Sequence, residues 1–466
     1  MNTEFDYMSA VDLKKLIASK EVSPVEVVER SLARMEEMET KLNAFVTKTP
    51  ELALDAARRA EQDVIMGKPI GLLHGLPLSV KDLIPVKDVR FTFGSKTAAE
   101  NIASMDAPVV ERARAEGACI IGKTTTSEFG AKAVGNSPLT GITRNPWCLE
   151  KTPGGSSAGA AASVAAGVSP LALGTDGGGS IRIPASITGL FGIKAQFGRV
   201  PIFPAPATPT LAHIGPLTRT VRDSALLLQA IAGYDQRDPF TVAGKTPDFL
   251  AACDKPIKGM RIAWSPTMGF AKPLPEVVEI AERAALAFED MGCTVELVDY
   301  VMDDPGEMWM AEFYAGVGTK LQGVLRSDPD KIDTAVAEVL RGALEQSIGD
   351  YYGSVFRRYE FREKMRQFFT KYDLLLTPTI PVAAPDVSDD VPPEVAGRNI
   401  VSWVYYTYPF NLTGQPAASM PAGFTTAGLP VGLQMVGRMH SECDIFRAAA
   451  ALEEKCPWRE HRPKGI

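Results

Sequence analysis

Two serines and a lysine lie in sequence surroundings that favour chemistry at their side chains. Ser156 and Ser180 each follow a glycine and flank an alanine-rich segment, and Lys81 ends a short apolar run at 76–80. Hydrolysis of an amide needs a nucleophile, a group that takes its proton and hydrogen-bond donors for the developing oxyanion. A serine can be the nucleophile, and a lysine that burial keeps neutral can be the base.

Three glycines immediately before Ser180 form a candidate oxyanion-binding loop. Gly177, Gly178 and Gly179 allow the backbone to turn tightly, so that several N–H groups can point to one place. Losing one such donor typically costs about 3 kcal/mol of transition-state stabilisation. Simpler interpretations also exist, because either serine can cap a helix and a lysine is most often a surface residue.

Five segments that include these residues resemble the signature of the amidase signature family. They read HGLPLSVKD at 74–82, GGSSAGAAAS at 154–163, GTDGGGSIRIPA at 174–185, GPLTRT at 215–220 and AGLPVGLQMVGR at 427–438. The resemblance extends over nearly the whole chain, although the middle, from about 235 to 400, contains no motif of the family.

The resemblance implies a role for each of the candidate residues. Ser180 is the nucleophile, Lys81 is the base, and Ser156 relays the proton between them after a cis peptide bond at Gly155–Ser156. The loop 177–179 then forms the oxyanion hole. Gly130 lies on the substrate side of the pocket. The alternative interpretation is that Gly130 is a plain turn glycine.

Alternating strands, helices and loops predict an α/β fold with a mixed sheet. The resemblance adds that this sheet is large and has helices on both faces. We expect one domain over 1–466, with a soft internal boundary near 235–258 and a mostly helical covering segment at 306–371. Within it, Asp176 and Arg182 are expected to order the glycine loop, and the aromatic run at 403–408 to pack in the core.

Composition argues against several other classes of protein. The net charge of −7, without a cluster of Lys or Arg, disfavours nucleic-acid binding. The uncharged run at 152–175 is too rich in Gly, Ser and Pro to span a membrane. Six cysteines without a CxxC pair favour free thiols in the cytoplasm. We expect no cofactor and no metal, and we interpret His74 and His213 as structural rather than as members of a Ser-His-Asp triad.

Two positions depart from patterns of the family in ways that bear on the substrate. Gly177 replaces a commonly branched residue, which loosens the loop or widens the pocket. An ungapped match puts Val404 where the glutaminase subunit of the tRNA-dependent amidotransferases carries an aspartate for the glutamine amino group.

We therefore predict a stand-alone amidase that cleaves C–N bonds in small-molecule amides through an acyl-enzyme on Ser180. Aryl amides, carbamates and esters share this chemistry, and all stay open as substrates. The alternatives are a glutaminase subunit of an amidotransferase complex and a non-catalytic protein that kept the fold. The sequence leaves the natural substrate and a homo-oligomer open.

Overall fold

Eleven strands form one mixed sheet within the part of the chain that this computed structural model describes, residues 3–395, 398–464 and 466. A hairpin of two further strands, β4 and β5, stands apart from that sheet. The strands are β1 (Phe45–Lys48), β2 (Pro77–Lys81), β3 (Cys119–Thr124), β4 (Asn136–Ser137), β5 (Gly141–Ile142), β6 (Leu171–Asp176), β7 (Phe191–Lys194), β8 (His213–Thr218), β9 (Arg261–Trp264), β10 (Thr294–Leu297), β11 (Leu374–Pro378), β12 (Ala417–Phe424) and β13 (Pro430–Gly437).

The α-helices connect these strands. They are α1 (Ala10–Ala18), α2 (Pro24–Leu42), α3 (Pro50–Ile65), α4 (Pro108–Ala115), α5 (Ala158–Ala165), α6 (Arg182–Thr188), α7 (Val221–Ile231), α8 (Phe249–Ala252), α9 (Pro275–Asp290), α10 (Gly306–Ser327), α11 (Thr334–Leu344), α12 (Ile348–Phe368), α13 (Pro409–Thr413) and α14 (Glu442–Lys455). Helix α2 begins as its sequence indicates, with Ser23 and Glu26 in a capping box around Pro24.

The strand order is β1-β3-β2-β6-β8-β7-β12-β13-β11-β9-β10. Strand β2 runs parallel to both of its neighbours, β3 and β6, while the central strands β8, β7, β12 and β13 pair in antiparallel fashion. The sheet is therefore mixed, as predicted. Because β2 and β6 are parallel neighbours, the residues at their carboxyl ends meet at the same edge of the sheet.

Alternate residues of one strand face different apolar clusters, so both faces of the sheet are covered. Leu171 and Leu173 of β6 lie in a cluster with α1, α4, α7 and α14, whereas Ala172 packs with α5 and α6. Likewise, Leu375 of β11 packs with α10, α11 and α12. This arrangement confirms the predicted α/β fold with helices on both faces.

Helix α5 packs unusually close to its neighbours because its residues are small. A Cβ atom at Gly159 would overlap the carbonyl oxygen of Ala44 and the hydroxyl of Thr125. The alanine-rich segment between the two serines therefore allows α5 to approach the chain beside β3. This brings the residues before α5 close to the carboxyl end of β2.

Three features outside the sheet bear on the remaining expectations. Helices α10, α11 and α12 fill most of 306–371, and the short α8 lies within the predicted boundary at 235–258; the domain division itself stays a prediction. The six cysteines are free thiols. Across the described ranges, every helix is too short or too polar to span a lipid bilayer.

Candidate active site

Lys81 is the last residue of β2, and its side chain is completely buried. Its Nζ lies 2.7 Å from Ser156 Oγ, 2.8 Å from Thr175 Oγ1 and 3.0 Å from Ser157 Oγ. No carboxylate among the described residues forms an ion pair with it. Burial lowers the pKa of Lys81 well below its usual range, and the negative charge of Asp176 only partly opposes that shift. The environment therefore favours a neutral, basic amine.

The hydroxyls of the two serines before α5 form hydrogen bonds with Lys81 and do not cap the helix. The N-cap position of α5 is Ser157, which makes no side-chain capping hydrogen bond, and the hydroxyl of Ser156 faces Lys81 instead. The Gly155–Ser156 peptide bond is cis, as the resemblance implied. The interpretation of Ser156 as a helix cap therefore does not hold.

Ser180 lies four residues beyond the carboxyl end of β6 and is half-buried. Helix α6 begins two residues later, at Arg182, and has no side-chain capping hydrogen bond at its N-cap, Ile181. The hydroxyl of Ser180 is thus not used as a helix cap either. Its glycine loop begins at the same edge of the sheet as Lys81.

A buried ion pair holds the glycine loop in place. Asp176 accepts hydrogen bonds from the amides of Gly179 (2.8 Å) and Ile181 (3.2 Å) and forms an ion pair with Arg182 (2.9 Å). Burial alone would raise the pKa of Asp176, but Arg182, helped by Lys194 and Asn411, holds that pKa well below its usual range. These contacts confirm that Asp176 and Arg182 order the loop.

The loop leaves three backbone N–H groups available near Ser180. In the described parts of the chain, no acceptor takes a hydrogen bond from the amides of Gly177, Gly178 or Ser180. The amide of Gly179 is different, because it is already donated to Asp176. The oxyanion hole itself stays a prediction.

Two aromatic residues of α10, which no sequence motif predicted, lie against the glycine loop. Trp309 Nε1 donates a hydrogen bond to the carbonyl oxygen of Gly177 at 2.8 Å. A Cβ atom at Gly178 would lie 2.5 Å from the Trp309 ring, and one at Gly177 would lie 2.8 Å from Phe313. In the sequence, only Gly177 pointed to this contact, because it replaces a commonly branched residue. The Phe313 ring fills the space that such a side chain would take.

Thr175 and Ser157 are further residues of the site that were not predicted from the sequence. Both lie beside predicted site residues, and their hydroxyls complete the surroundings of the Lys81 amine. Ser157 also donates its hydroxyl to the carbonyl oxygen of Thr175 at 3.1 Å, which joins the start of α5 to the end of β6. A hydroxyl residue beside a motif residue is too common a pattern to have predicted this contact.

Gly130 lies next to Ser156. Its φ of 72° is in the left-handed region, and a Cβ atom there would lie 3.3 Å from Ser156 Oγ and 3.0 Å from Leu83 Cδ1. A side chain at position 130 would therefore crowd the hydroxyl of Ser156. The proposed contact with substrate stays a prediction.

The histidines have partners away from the three candidate residues. His74 Nε2 lies 3.0 Å from the carbonyl oxygen of Ala60, and His213 Nδ1 lies 2.8 Å from that of Leu211. Burial lowers the pKa of His213 well below its usual range. No group of three or more His, Cys, Asp or Glu residues in the described chain is arranged to hold a metal ion.

A surface cavity of about 710 Å³ lies between the connection β10–α10 and α12. Its lining includes Asp304, Met308 and Phe361 but none of Lys81, Ser156 and Ser180. We place the candidate active site at Lys81, because a reaction needs a nucleophile and a base. The residues that line the cavity include no such set of serines and a buried lysine.

The comparison of sequences gives a match over most of the chain. The family model described as Amidase matches residues 26–446. An acylamidase of Rhodococcus erythropolis is 34% identical over 465 residues, which cover 98% of this chain and 97% of that protein. The A subunit of the glutamyl-tRNA(Gln) amidotransferase of Moorella thermoacetica is 35% identical over 488 residues, covering 99% of each chain.

The comparison of structures agrees with the comparison of sequences. A crystal structure of a bacterial aryl acylamidase of the amidase signature family superposes with a TM-score of 0.92. That enzyme is 30% identical in sequence, and the match covers 97% of each chain.

Proposed function

We propose, from the premise that this chain belongs to the amidase signature family and is an amidase, that it works without partner subunits and cleaves amides through an acyl-enzyme on Ser180. The observation that carries the proposal is the Lys81 amine, which is fully buried, bonded to hydroxyls and free of any ion pair in the described chain. Because burial lowers the pKa of this lysine, it is neutral and can take a proton at a pH below the ordinary lysine pKa.

The hydrogen bonds around Lys81 support a proton relay through Ser156. Ser157 gives its own proton to the carbonyl oxygen of Thr175, so it accepts from Lys81. A neutral amine has two N–H groups and one lone pair. If the N–H groups are donated to Ser157 and Thr175, the lone pair faces Ser156 at 2.7 Å.

The reaction then proceeds in two halves. Ser156 passes its proton to Lys81 and takes the proton of Ser180, whose oxygen attacks the carbonyl carbon of the amide. The negative oxygen of the tetrahedral intermediate accepts hydrogen bonds from the amides of the glycine loop. The C–N bond breaks as the proton returns through Ser156 to the amine that leaves. Water, activated by the same relay, hydrolyses the acyl-enzyme and frees Ser180.

Amides with an apolar or aromatic portion fit the surroundings of the glycine loop best. Trp309 and Phe313 lie against Gly177 and Gly178, and Val404 is buried in the same apolar cluster. The aryl acylamidase found by comparison is a relative whose name describes an amide with an aromatic portion. Carbamates and esters of similar shape would react by the same steps.

A second candidate function is hydrolysis of glutamine within an amidotransferase complex. The observation that favours it is the 35% identity with the amidotransferase protein of Moorella thermoacetica over 99% of both chains. Val404, an apolar residue at the position matched to the aspartate of the glutaminase subunit, favours the stand-alone amidase instead. Purification from the native host followed by glutaminase assay distinguishes the two: a stable partner together with glutamine turnover would favour the complex.

The first experiment combines labelling with turnover. The purified protein is treated with a fluorophosphonate, analysed by mass spectrometry and assayed on a panel of 4-nitroanilides. We expect a single adduct on Ser180, its absence in Ser180→Ala, and slower labelling in Lys81→Ala. Folded wild-type protein that gives neither an adduct nor 4-nitroaniline would overturn the proposal.

A further inference from the structure

Trp309 contacts the glycine loop from a part of the chain that contains none of the family motifs. It lies on α10, is 1% exposed, and donates its indole N–H to the carbonyl oxygen of Gly177 at 2.8 Å. The ring also lies against the α-carbon of Gly178. Trp309 therefore contacts both sides of the Gly177–Gly178 peptide bond.

That peptide bond needs an external restraint because glycine on both sides leaves it free to rotate. Without Cβ atoms, the peptide plane between Gly177 and Gly178 can flip at little steric cost. A trans peptide bond is planar, with its C=O and N–H pointing in opposite directions. As long as the Gly177 carbonyl is bound to Trp309, the N–H of Gly178 must point away from the indole. In the described chain that N–H has no acceptor.

The indole itself is fixed by a stack of rings. Trp309 stacks on Phe313, with ring centroids 4.6 Å apart, and on Tyr408, with centroids 5.4 Å apart. The Tyr408 hydroxyl donates to Asp304 at 2.7 Å, and Arg398 forms an ion pair with the same carboxylate at 2.9 Å. The orientation of the indole N–H is thus set by Phe313 on one side and by Tyr408, with its partner Asp304, on the other.

We infer that Trp309 is a positioning residue for the oxyanion hole. It holds the Gly177–Gly178 peptide so that the N–H of Gly178 faces the tetrahedral intermediate formed on Ser180. This inference rests on the proposed function. It assigns to α10 a role in the amidase reaction in addition to covering the sheet.

The test compares two Trp→Phe variants with wild-type enzyme on a 4-nitroanilide. Trp309→Phe keeps the ring stack but removes the donor. Trp403→Phe is the matched control, because Trp403 is buried in the same apolar cluster and its Nε1 has no hydrogen-bond partner among the described residues. We expect Trp309→Phe to lower kcat by about 10-fold to 100-fold, somewhat less than outright loss of one oxyanion donor. KM should change by less than about threefold, since the ground-state carbonyl gains little from that donor.

A transition-state analogue separates positioning from general damage. A trifluoromethyl ketone forms a tetrahedral adduct on serine, so its Ki should rise in Trp309→Phe by the same factor by which kcat/KM falls. The Ki of the carboxylic acid product should stay the same. Trp403→Phe should match the wild type in kcat and in both Ki values.

An isosteric variant covers the case in which Trp309→Phe does not fold. Benzothienylalanine at position 309 replaces the N–H by sulfur and keeps the shape of the ring, and it should reproduce the loss in kcat. Full kcat in either folded variant would overturn the inference. Unfolding of both variants, with Trp403→Phe folded, would also overturn it in favour of a structural role. Wild-type protein without amidase activity would instead overturn the proposed function.

Discussion

Two buried lysines lie on neighbouring strands and have opposite surroundings. Lys81 ends β2, and Lys123 lies on the adjacent parallel strand β3, paired in register with Val80. Both side chains are completely buried. Lys81 contacts hydroxyl groups, whereas Lys123 forms an ion pair with Asp82 at 2.9 Å.

The two lysines are equally buried, so they differ in chemistry because of the groups that they contact. Burial lowers the pKa of both, but for Lys123 the charge and hydrogen bond of Asp82 oppose the shift directly. A carboxylate partner stabilises the buried ammonium of Lys123, whereas the hydroxyls around Lys81 stabilise its ammonium less, so that burial favours the neutral amine there. Asp82, the residue that follows Lys81, neutralises Lys123 on the neighbouring strand. A buried lysine without a carboxylate partner is therefore the better candidate for a base.

The strongest test of this comparison is a pair of Lys→Met variants. Lys81→Met should lower kcat/KM for an anilide by about 10²-fold to 10⁴-fold, the range for loss of a general base, with little loss of stability. Lys123→Met leaves Asp82 buried without its ion-pair partner and should lower the free energy of unfolding by about 3–5 kcal/mol. Urea unfolding and steady-state kinetics measure the two effects. Equal loss of activity per folded molecule in both variants would contradict the assignment of a catalytic role to Lys81 and a structural role to Lys123.

A pair of Ser→Ala variants tests which hydroxyl beside Lys81 relays the proton. Ser156→Ala should lower kcat by about 10²-fold or more, because the relay between Lys81 and Ser180 is interrupted. Ser157→Ala removes only an acceptor for the amine and should lower kcat by less than about 10-fold. Fluorophosphonate labelling rates should follow the same order. A larger loss in Ser157→Ala than in Ser156→Ala would show that the relay had been assigned to the wrong serine.

The pH profile of kcat/KM tests the charge state of Lys81. The amine must be neutral to take a proton, so the rate falls as pH falls through its pKa, by up to about 10-fold per pH unit. Since burial lowers that pKa, the rising limb should lie below the ordinary lysine value of 10.5. Thr175→Val should move the limb to lower pH, because the ammonium loses one of its acceptors. A limb whose position is the same in Thr175→Val belongs to another group.

The smallest expected effect concerns the space beside Gly177. A side chain there meets Phe313, since a Cβ atom would lie 2.8 Å from its ring. Gly177→Val should therefore lower kcat/KM by several-fold to about 10-fold, and Phe313→Ala in the same chain should restore part of it. Anilide kinetics of the wild type, the two single variants and the double variant measure the coupling between positions 177 and 313. Independent effects of the two substitutions would show that the ring does not fill the space of the missing side chain.

Much of the fold followed from local patterns in the sequence. Ser23 and Glu26 have the spacing of a capping box, the apolar run at 76–80 is typical of a strand, and the alanine-rich segment between the two serines is typical of a helix. The structure contains all three elements. The order of strands was not predicted, and neither were β7 and β8 at the centre of the sheet. Strand order depends on which segments pair across long stretches of chain, and no local pattern encodes it.

The candidate site divides in the same way between sequence and tertiary structure. Lys81, Ser156 and Ser180 were recognised as candidates from the sequence, because they lie in recognisable motifs. The glycine loop and its ordering pair, Asp176 and Arg182, were located in the same way. The absence of a carboxylate partner for Lys81 among the described residues, and the contact of the aromatic rings of α10 with the glycine loop, became visible in the folded chain. Both features depend on every atom within a few ångströms, and those atoms come from segments that lie far apart in the chain.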